Sequence, residues 1–173
     1  MASTSYQEVM AMICELLDIQ NVRVTKYQTQ GHHRINVFIT STLTAAVCPE
    51  CECVSTQIHD EGEVQMIRDM PLWDRRGWIG YAPRRFKCEH CDKTFVERVV
   101  WREPGLNYTT RYENYVYEPV RRQNVAQVAK DEFLSEDVVK GIFERRAKNA
   151  RSTRVSAGEG KVLRRDCAAQ GAW

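Results

Sequence analysis

Two short cysteine motifs, Cys48-Pro49-Glu50-Cys51 and Cys88-Glu89-His90-Cys91, decide the fold of the first half of this chain. Each CxxC pair can form a tight knuckle whose two thiolates point at one metal ion, and two knuckles supply the four soft ligands of a tetrahedral zinc site. The 36 residues between the pairs exceed the roughly 15–20 of the most compact pattern, and an insertion of two or three strands would fill the difference. We therefore predict a structural Zn²⁺ ion bound by Cys48, Cys51, Cys88 and Cys91.

The alternative for these cysteines is a set of ordinary buried thiols or a redox pair, although two CxxC pairs rarely serve redox chemistry together. Four thiolates close the coordination sphere, so this site would have no open position for metal catalysis. Cys53 is a weaker candidate ligand because of its spacing, and Cys14 and Cys167 are expected to be bystanders. The grouping of the seven cysteines favours a reducing cytosol over a secreted disulfide framework.

Length and composition restrict the class of protein to which this chain can belong. The 173 residues suit one domain or two small ones. Hydrophobic residues make up 43% and charged residues 28%, which excludes a wholly disordered chain. No apolar stretch approaches the ~18 residues of a membrane span, so we expect no membrane association. The net charge of +2 does not by itself point to any class of binding partner.

Hydrophobic periodicity predicts an α+β protein. Residues 4–19 have the three- and four-residue apolar spacing of a helix, whereas 21–28 and 33–40 alternate like the strands of a hairpin. Residues 56–100 are also strand-rich, and Pro104-Gly105 marks a domain boundary. We predict a helix and a zinc-ribbon-like β-domain over 1–103, a three-helix helix-turn-helix domain over 104–150, and a basic, disordered tail over 151–173.

Three capping signals define the helical domain. Thr110 to Glu113 has the spacing of a capping box, Asn124 begins a second helix and Ser135 a third, while Pro119 should end or kink the first. Small and apolar residues then fall where a helix-turn-helix needs them, although the turn holds Phe133-Leu134 where glycine is frequent. A plain three-helix packing module is the alternative.

In a helix-turn-helix, the helix from Ser135 to about Arg146 would enter the major groove of DNA. The two acidic residues at its start would stabilise the helix N-terminus through its dipole or accept from cytosine N4. Eight basic residues and one acidic residue lie between Arg145 and Arg165, a local charge of +7, which favours salt-sensitive binding to a polyanion. The predicted DNA-contacting residues are Arg121, Arg122, Ser135, Glu136, Asp137, Lys140, Arg145, Arg146 and Lys148.

Two further stretches interleave basic and aromatic residues, Arg75-Arg76-Gly77-Trp78 and Arg84-Arg85-Phe86-Lys87. Such a pattern on a strand can bind nucleic acid. The outer face of a ribbon with Phe86 buried explains it equally well.

Five stretches carry a resemblance to a known family: 48–51 (CPEC), 55–60 (STQIHD), 67–71 (IRDMP), 84–97 (RRFKCEHCDKTFVE) and 108–112 (YTTRY). Their joint order, over roughly residues 15–150, resembles the N-terminal region of bacterial and archaeal insertion-sequence transposases of the ISL-three type. The resemblance implies a zinc-binding module and a helix-turn-helix that recognise the terminal inverted repeats of the element in double-stranded DNA.

The same resemblance implies a much larger RNase H-like core, with three acidic residues that hold two metal ions for strand cleavage and joining. Lys161-Val162-Leu163 resembles the start of its first catalytic strand and Asp166 lies near the first carboxylate position, but Cys167 to Trp173 do not match. We expect a chain truncated or frame-shifted near Arg164, without catalytic residues and inactive alone as a transposase.

The resemblance further implies a prokaryotic cytoplasmic protein associated with the nucleoid, acting as a homodimer or with a partner transposase. Two rivals remain open from the residues alone. A zinc-containing helix-turn-helix transcriptional regulator would have the same motifs but bind a promoter. A protein-interaction module would bind DNA without salt sensitivity, or not at all.

Overall fold

Four helices and nine strands follow one another along the described part of the chain. In order they are α1 (Tyr6–Leu17), β1 (Val22–Gln30), β2 (Arg34–Ser41), β3 (Ala46–Val47), β4 (Val54–Ser55), β5 (Ile58–Glu61), β6 (Gln65–Leu72), β7 (Arg75–Tyr81), β8 (Arg84–Lys87), β9 (Thr94–Val96), α2 (Thr110–Val120), α3 (Val125–Glu132) and α4 (Glu136–Ser156). This computed structural model describes the backbone of residues 5–156 and the side chains of residues 5–149. The predicted α+β class is confirmed.

Helix α1 covers one face of a four-stranded sheet. Ser5 begins the helix with a capping box, in which its side chain accepts from the backbone N–H of Glu8 and Glu8 bonds back to Ser5. The apolar face of α1 contributes Met10, Ile13 and Leu17 to a core with buried strand residues. Alternate residues of the strands complete this core, which includes Val37, Ile39, Ile67, Ile79 and Tyr81.

The sheet has the strand order β1-β2-β7-β6. The predicted hairpin of β1 and β2 is present, and the two strands pair antiparallel with Val22 opposite Ser41 and Gln30 opposite Arg34. Strand β7 then pairs parallel with β2, and β6 pairs antiparallel with β7. Two segments far apart in sequence therefore build one sheet, because the β6–β7 hairpin returns to the edge of the first hairpin.

The two cysteine pairs lie in a separate, smaller β-structure. Strands β3 and β4 form one two-stranded ladder, and β5, β8 and β9 form a three-stranded sheet in the order β5-β8-β9. Its core consists of Cys48, Cys88 and the stacked rings of Phe86 and Phe95. Five strands, β4 to β8, lie between Cys51 and Cys88, not the two or three expected. The spacer is long because β6 and β7 belong to the four-stranded sheet.

The chain divides into two compact units between Tyr112 and Glu113, later than the predicted boundary after residue 103. The segment before this division is fastened to β6, since the backbone N–H of Thr109 donates to the Arg68 carbonyl at 3.0 Å and Thr109 Oγ1 donates to Asp69 Oδ1 at 2.6 Å. Residues 104–109 therefore fold with the first unit.

The second unit begins within α2 and contains α3 and α4. Thr109, not the predicted Thr110, caps α2, because its Oγ1 accepts from the backbone N–H of Tyr112 at 3.1 Å. Asn124 caps α3 as predicted, with Oδ1 accepting from Gln127 N–H at 2.9 Å. Pro119 lies in the last turn of α2, which ends at Val120. The buried residues of this unit include Val116, Val128, Ala129, Val139 and Ile142.

Helix α4 extends to Ser156, so residues 151–156 of the predicted disordered tail are helical. Residues 157–173, with Asp166, Cys167 and most of that tail, lie outside the described residues. Within the described residues, no helix combines the length and apolar character needed to cross a membrane.

Candidate metal centre and nucleic-acid interface

Two equivalent knuckles hold the four cysteines. In the first, the carbonyl of Cys48 accepts from the backbone N–H of Glu52 at 2.9 Å, and in the second the carbonyl of Cys88 accepts from that of Asp92 at 3.0 Å. Glu52 and Asp92, each four residues after the first cysteine of its pair, both adopt left-handed backbone conformations with φ of 61° and 58°. The same local geometry thus occurs twice, and in each knuckle it turns both thiols to one side.

The four sulfur atoms meet in one cluster. All lie within 4.8 Å of one another, with Cys48 Sγ 3.7 Å from Cys91 Sγ and Cys51 Sγ 3.5 Å from Cys88 Sγ. Four thiolates at a Zn–S distance of about 2.3 Å in a tetrahedron would lie roughly 3.8 Å apart. The cluster therefore fits Zn²⁺, and the predicted ligand set of Cys48, Cys51, Cys88 and Cys91 forms a closed structural site.

Backbone hydrogen bonds, burial and neighbouring thiols shift the pKa values of Cys88 and Cys91 in opposite directions. The pKa of Cys88 is lowered to about 6, chiefly because the backbone N–H of Cys91 stabilises its thiolate. The backbone N–H of Lys93 lowers the pKa of Cys91, but desolvation and the three neighbouring cysteines outweigh it and raise that pKa to about 12. A bound cation is therefore needed to ionise the Cys91 thiol at neutral pH.

Cys53 does not belong to this cluster. Its backbone carbonyl accepts from Cys48 N–H at 2.9 Å, which closes the first knuckle, while its sulfur is outside the four-cysteine group. Cys53 therefore serves the site through its main chain.

A buried charged pair that no sequence motif predicts lies beside the ribbon. Arg84 Nη2 donates to Glu97 Oε2 at 2.7 Å and Arg84 Nε donates to Oε1 at 3.1 Å, with Glu97 fully buried. Tyr81 also donates to Glu97, and Arg84 donates to Ser41 Oγ at 2.7 Å. A basic residue followed thirteen positions later by an acid gives no sequence signal, because only the β8–β9 pairing brings them together.

The cations of the Arg84-Arg85-Phe86-Lys87 stretch are all neutralised locally. Arg85 forms an ion pair with Asp60, and Lys87 with Asp92 at 2.8 Å. Phe86 is fully buried in the ribbon core. Of the two interpretations left open for this stretch, the structure favours the ribbon surface over a nucleic-acid contact.

The predicted DNA-contacting residues lie on α4 and in the two segments that flank α3. Ser135 caps α4, since its Oγ accepts from Val138 N–H at 3.4 Å, and Lys140 pairs with Glu136 at 3.5 Å and Asp137 at 4.0 Å. These acids occupy the first turn of α4, where they favour the helix dipole. All four side chains are exposed.

The arginines of the set are in different environments. Arg145 donates to the buried carboxylate of Glu113 at 2.7 Å, Arg146 donates to Asn114, and Arg121 forms an exposed pair with Glu118 at 3.5 Å. Arg122 and Lys148 are exposed, and no ion pair of either occurs within residues 5–149. The set therefore contains a structural arginine, Arg145, together with cations that remain accessible to phosphate.

The comparisons with known proteins agree with this site. Residues 44–91 match the family described as the zinc-finger of the transposases IS204, IS1001, IS1096 and IS1165. The chain is 26% identical over 96 residues to the transposase for insertion sequence element IS1001 of Bordetella parapertussis. That match covers 56% of the chain and 23% of the relative, so the chain corresponds to less than a quarter of that transposase. No solved structure matches the chain significantly.

The matched residues include all four cysteines of the cluster. The resemblance predicted from the order of the sequence motifs is confirmed: residues 44–91 match the zinc ribbon of ISL-three-type transposases and hold its four-cysteine cluster, and the chain resembles the N-terminal region of such a transposase.

Proposed function

We propose that this chain is the DNA-binding part of a transposase and that it recognises the terminal inverted repeats of an insertion sequence. The observation that carries the proposal is the transposase-type zinc ribbon at residues 44–91, followed in the same chain by the capped helices α3 and α4. A chain of this kind would associate with the nucleoid and act as a homodimer or beside a partner transposase. It holds no proposed catalytic residue.

Helices α3 and α4 have the features that a helix-turn-helix requires. The turn between them is short, and Phe133 at its start adopts a left-handed conformation with φ of 56°, the conformation for which glycine is preferred in such turns. Buried Val128, Ala129 and Ile142 supply the small and apolar residues at the crossing. These features support α4 as the helix that enters the major groove.

Accessible cations are expected to carry the phosphate contacts. Arg122 precedes α3 and Lys148 lies in the second half of α4, and both are exposed. Arg121, Arg146 and Lys140 have exposed or partly exposed partners, and such surface interactions are weak enough for a phosphate to replace them. Ser135, Glu136 and Asp137 at the start of α4 would lie nearest the base edges.

The decisive experiment is selection of bound duplexes from a random pool by the zinc-loaded chain, followed by comparison with the inverted repeats around the gene. Anisotropy titrations on the selected duplex at several salt concentrations then test the contacts. Arg122→Gln and Lys148→Gln should each reduce the slope of log K against log salt by about 0.9. Glu63→Gln, an exposed change outside the helices, is the control.

The same experiment separates the two rivals. Enrichment of a promoter sequence in place of the repeats would identify a transcriptional regulator. Duplex binding that is absent or insensitive to salt would refute the proposal and favour a protein-interaction module.

A further inference from the structure

One face of the four-stranded sheet gathers cations and aromatic rings. The face packed on α1 carries the apolar core, and the opposite one, here called the basic face, carries Lys26, Arg34, Phe38, Arg68, Trp78 and Gly80. The register places Lys26 opposite Phe38, Phe38 opposite Gly80, and Arg68 opposite Trp78, so these residues share one side of the sheet. Among the described residues that the strand register places on this face, none is acidic.

Because Gly80 has no side chain, the ring of Phe38 on the neighbouring strand can lie across the sheet. A Cβ atom at Gly80 would come within 2.4 Å of Phe38 Cδ1, so the Phe38 ring occupies the space above the glycine on the neighbouring strand. The ammonium of Lys26 lies 5.3 Å from the centre of this ring. Lys26 is exposed and Phe38 only partly buried. A cation and an aromatic ring thus meet solvent side by side.

A second aromatic ring lies diagonally across the same face. The guanidinium carbon of Arg34 is 4.3 Å from the centre of the Trp78 ring, and that of Arg68 is 5.4 Å from it. Arg68 is itself buried, with its guanidinium carbon also 5.2 Å from the Tyr112 ring, so it adds charge from beneath the surface and Arg34 is the cation that a ligand can reach. Arg34 Nε donates to Asn36 Oδ1 at 2.7 Å, which fixes the guanidinium on the indole. Burial, Arg68 and Arg76 together lower the pKa of Arg34, so this part of the face concentrates positive charge.

We propose that the basic face is a second nucleic-acid site and that it takes single-stranded DNA. Charge complementarity selects a polyanion. Side chains at diagonal positions on neighbouring strands lie roughly 7–8 Å apart, which leaves room for two successive unstacked bases on Phe38 and on the Trp78–Arg34 pair. Four strands span about 14 Å, more than the ~12 Å width of the major groove, so duplex DNA fits this face poorly.

The basic face belongs to the first unit and would bind a different form of DNA, so this site is independent of the helix-turn-helix. Fluorescent oligothymidine of about 20 nucleotides, longer than the ~4–16 that single-strand-binding folds cover, is titrated with the zinc-loaded full chain. The double variant Lys26→Gln/Arg34→Gln should bind about tenfold more weakly, and the slope of log K against log salt should fall by about 1.4. Binding to the selected duplex should change little.

A matched double variant controls for net charge. Arg85→Gln/Lys93→Gln also removes two cations from the first unit, but both are paired with acids of the ribbon. It should retain oligothymidine binding. Equal losses in the two double variants would refute the proposed site, as would unchanged binding by Lys26→Gln/Arg34→Gln.

A second measurement does not depend on the stability of the charge variants. A base stacked near residue 78 should quench tryptophan emission when oligothymidine binds, and Trp78→Phe should bind similarly while losing most of that quenching. Full quenching in Trp78→Phe would overturn the proposal. If the unaltered chain binds oligothymidine but no duplex, the helix-turn-helix proposal fails and the proposal for the basic face stands.

Discussion

Arg145 Nη2 donates to Glu113 Oε1 at 2.7 Å, and Arg145 Nε donates to the same oxygen at 3.1 Å. The contact joins α4 to α2 within the second unit. The Glu113 side chain is only 2% exposed, whereas that of Arg145 is 38% exposed. Arg145 therefore neutralises a buried carboxylate. Because its guanidinium is engaged by Glu113, it is less available for a phosphate contact.

Substitution of Arg145 should act first on stability. Arg145→Met leaves the Glu113 carboxylate buried without its cation, and we expect a loss of about 2–3 kcal/mol in the free energy of unfolding. Lys148→Met removes an exposed cation from the same helix and should change stability by no more than about 0.5 kcal/mol. Urea unfolding monitored by circular dichroism measures both. Equal stabilities would show that the Glu113 contact contributes little.

The Arg84–Glu97 pair should make stability sensitive to acid. Burial alone would raise the pKa of Glu97, but hydrogen bonds from Arg84, Tyr81 and Ser41 outweigh it and lower that pKa below its ordinary value. A carboxyl group with a lowered folded-state pKa contributes fully above its unfolded pKa, and the contribution is lost as pH falls through the folded value. The chain should therefore lose stability progressively as the solution is acidified below the ordinary glutamate pKa.

The corresponding variant is Glu97→Gln. It leaves the Arg84 guanidinium without its carboxylate in a buried site, so we expect a loss of about 3–5 kcal/mol at neutral pH and a flatter dependence of stability on acid. Glu63→Gln, which changes an exposed carboxyl group, should leave both properties unchanged. A steep acid dependence that persists in Glu97→Gln would show that another group carries it.

The sequence alone predicted those features of the fold and the site that depend on residues close together along the chain. The CxxC spacing predicted the metal ligands, period-two alternation predicted the hairpin of β1 and β2, and Asn124 and Ser135 marked two helix starts. Each of these features depends on residues a few positions apart. The capping box predicted at Thr110 was shifted by one residue, because Glu113 pairs with Arg145 in the second unit.

Long-range pairing was not predictable in the same way. Parallel pairing of β2 with β7 joins segments some forty positions apart. The sequence predicted β2 as part of the first hairpin and β7 within the strand-rich residues 56–100, but gave no indication that the two strands pair. The stretches 75–78 and 84–87 have similar compositions, but their side chains lie in different environments. Arg84 lies buried against Glu97, whereas Trp78 lies partly exposed on the basic face, because only the sheet register decides which way each side chain points.

Two glycines of β7 should respond differently to a methyl group. A Cβ atom at Gly77 would lie 2.1 Å from the backbone carbonyl oxygen of Met70, whereas at Gly80 the nearest atoms belong to the Phe38 ring. A side chain can move more easily than the paired backbone of β6. We expect Gly80→Ala to cost about 1–3 kcal/mol and Gly77→Ala to cost more.

Thermal unfolding of the two glycine variants tests this order. Gly80→Ala should also weaken oligothymidine binding, because the Phe38 ring must leave its position across the sheet. A reversed order of stabilities would mean that β6 moves away from β7 more readily than the ring turns.

Removal of the metal should unfold the ribbon and spare the four-stranded sheet. Two of the four buried residues in the ribbon core, Cys48 and Cys88, are metal ligands, and the other two are Phe86 and Phe95, with the small side chain of Ala46 partly buried beside them. The four-stranded sheet has its own core with α1. Cys91→Ser should therefore release Zn²⁺ and abolish hydrogen-exchange protection around Phe86 and Phe95 while protection at Val37 and Ile79 persists.

Cys53→Ser is the matched control, because its sulfur lies outside the cluster and its backbone contact with Cys48 does not need the thiol. It should keep one zinc ion per chain and the protection of the unaltered protein. Since binding must displace the protons of thiols such as Cys91, whose pKa is raised to about 12, zinc affinity should also fall as the pH is lowered. Undiminished protection of β8 and β9 after Cys91→Ser would contradict this prediction. It would mean that the packing of Phe86 against Phe95 is enough to hold the ribbon strands together without the metal.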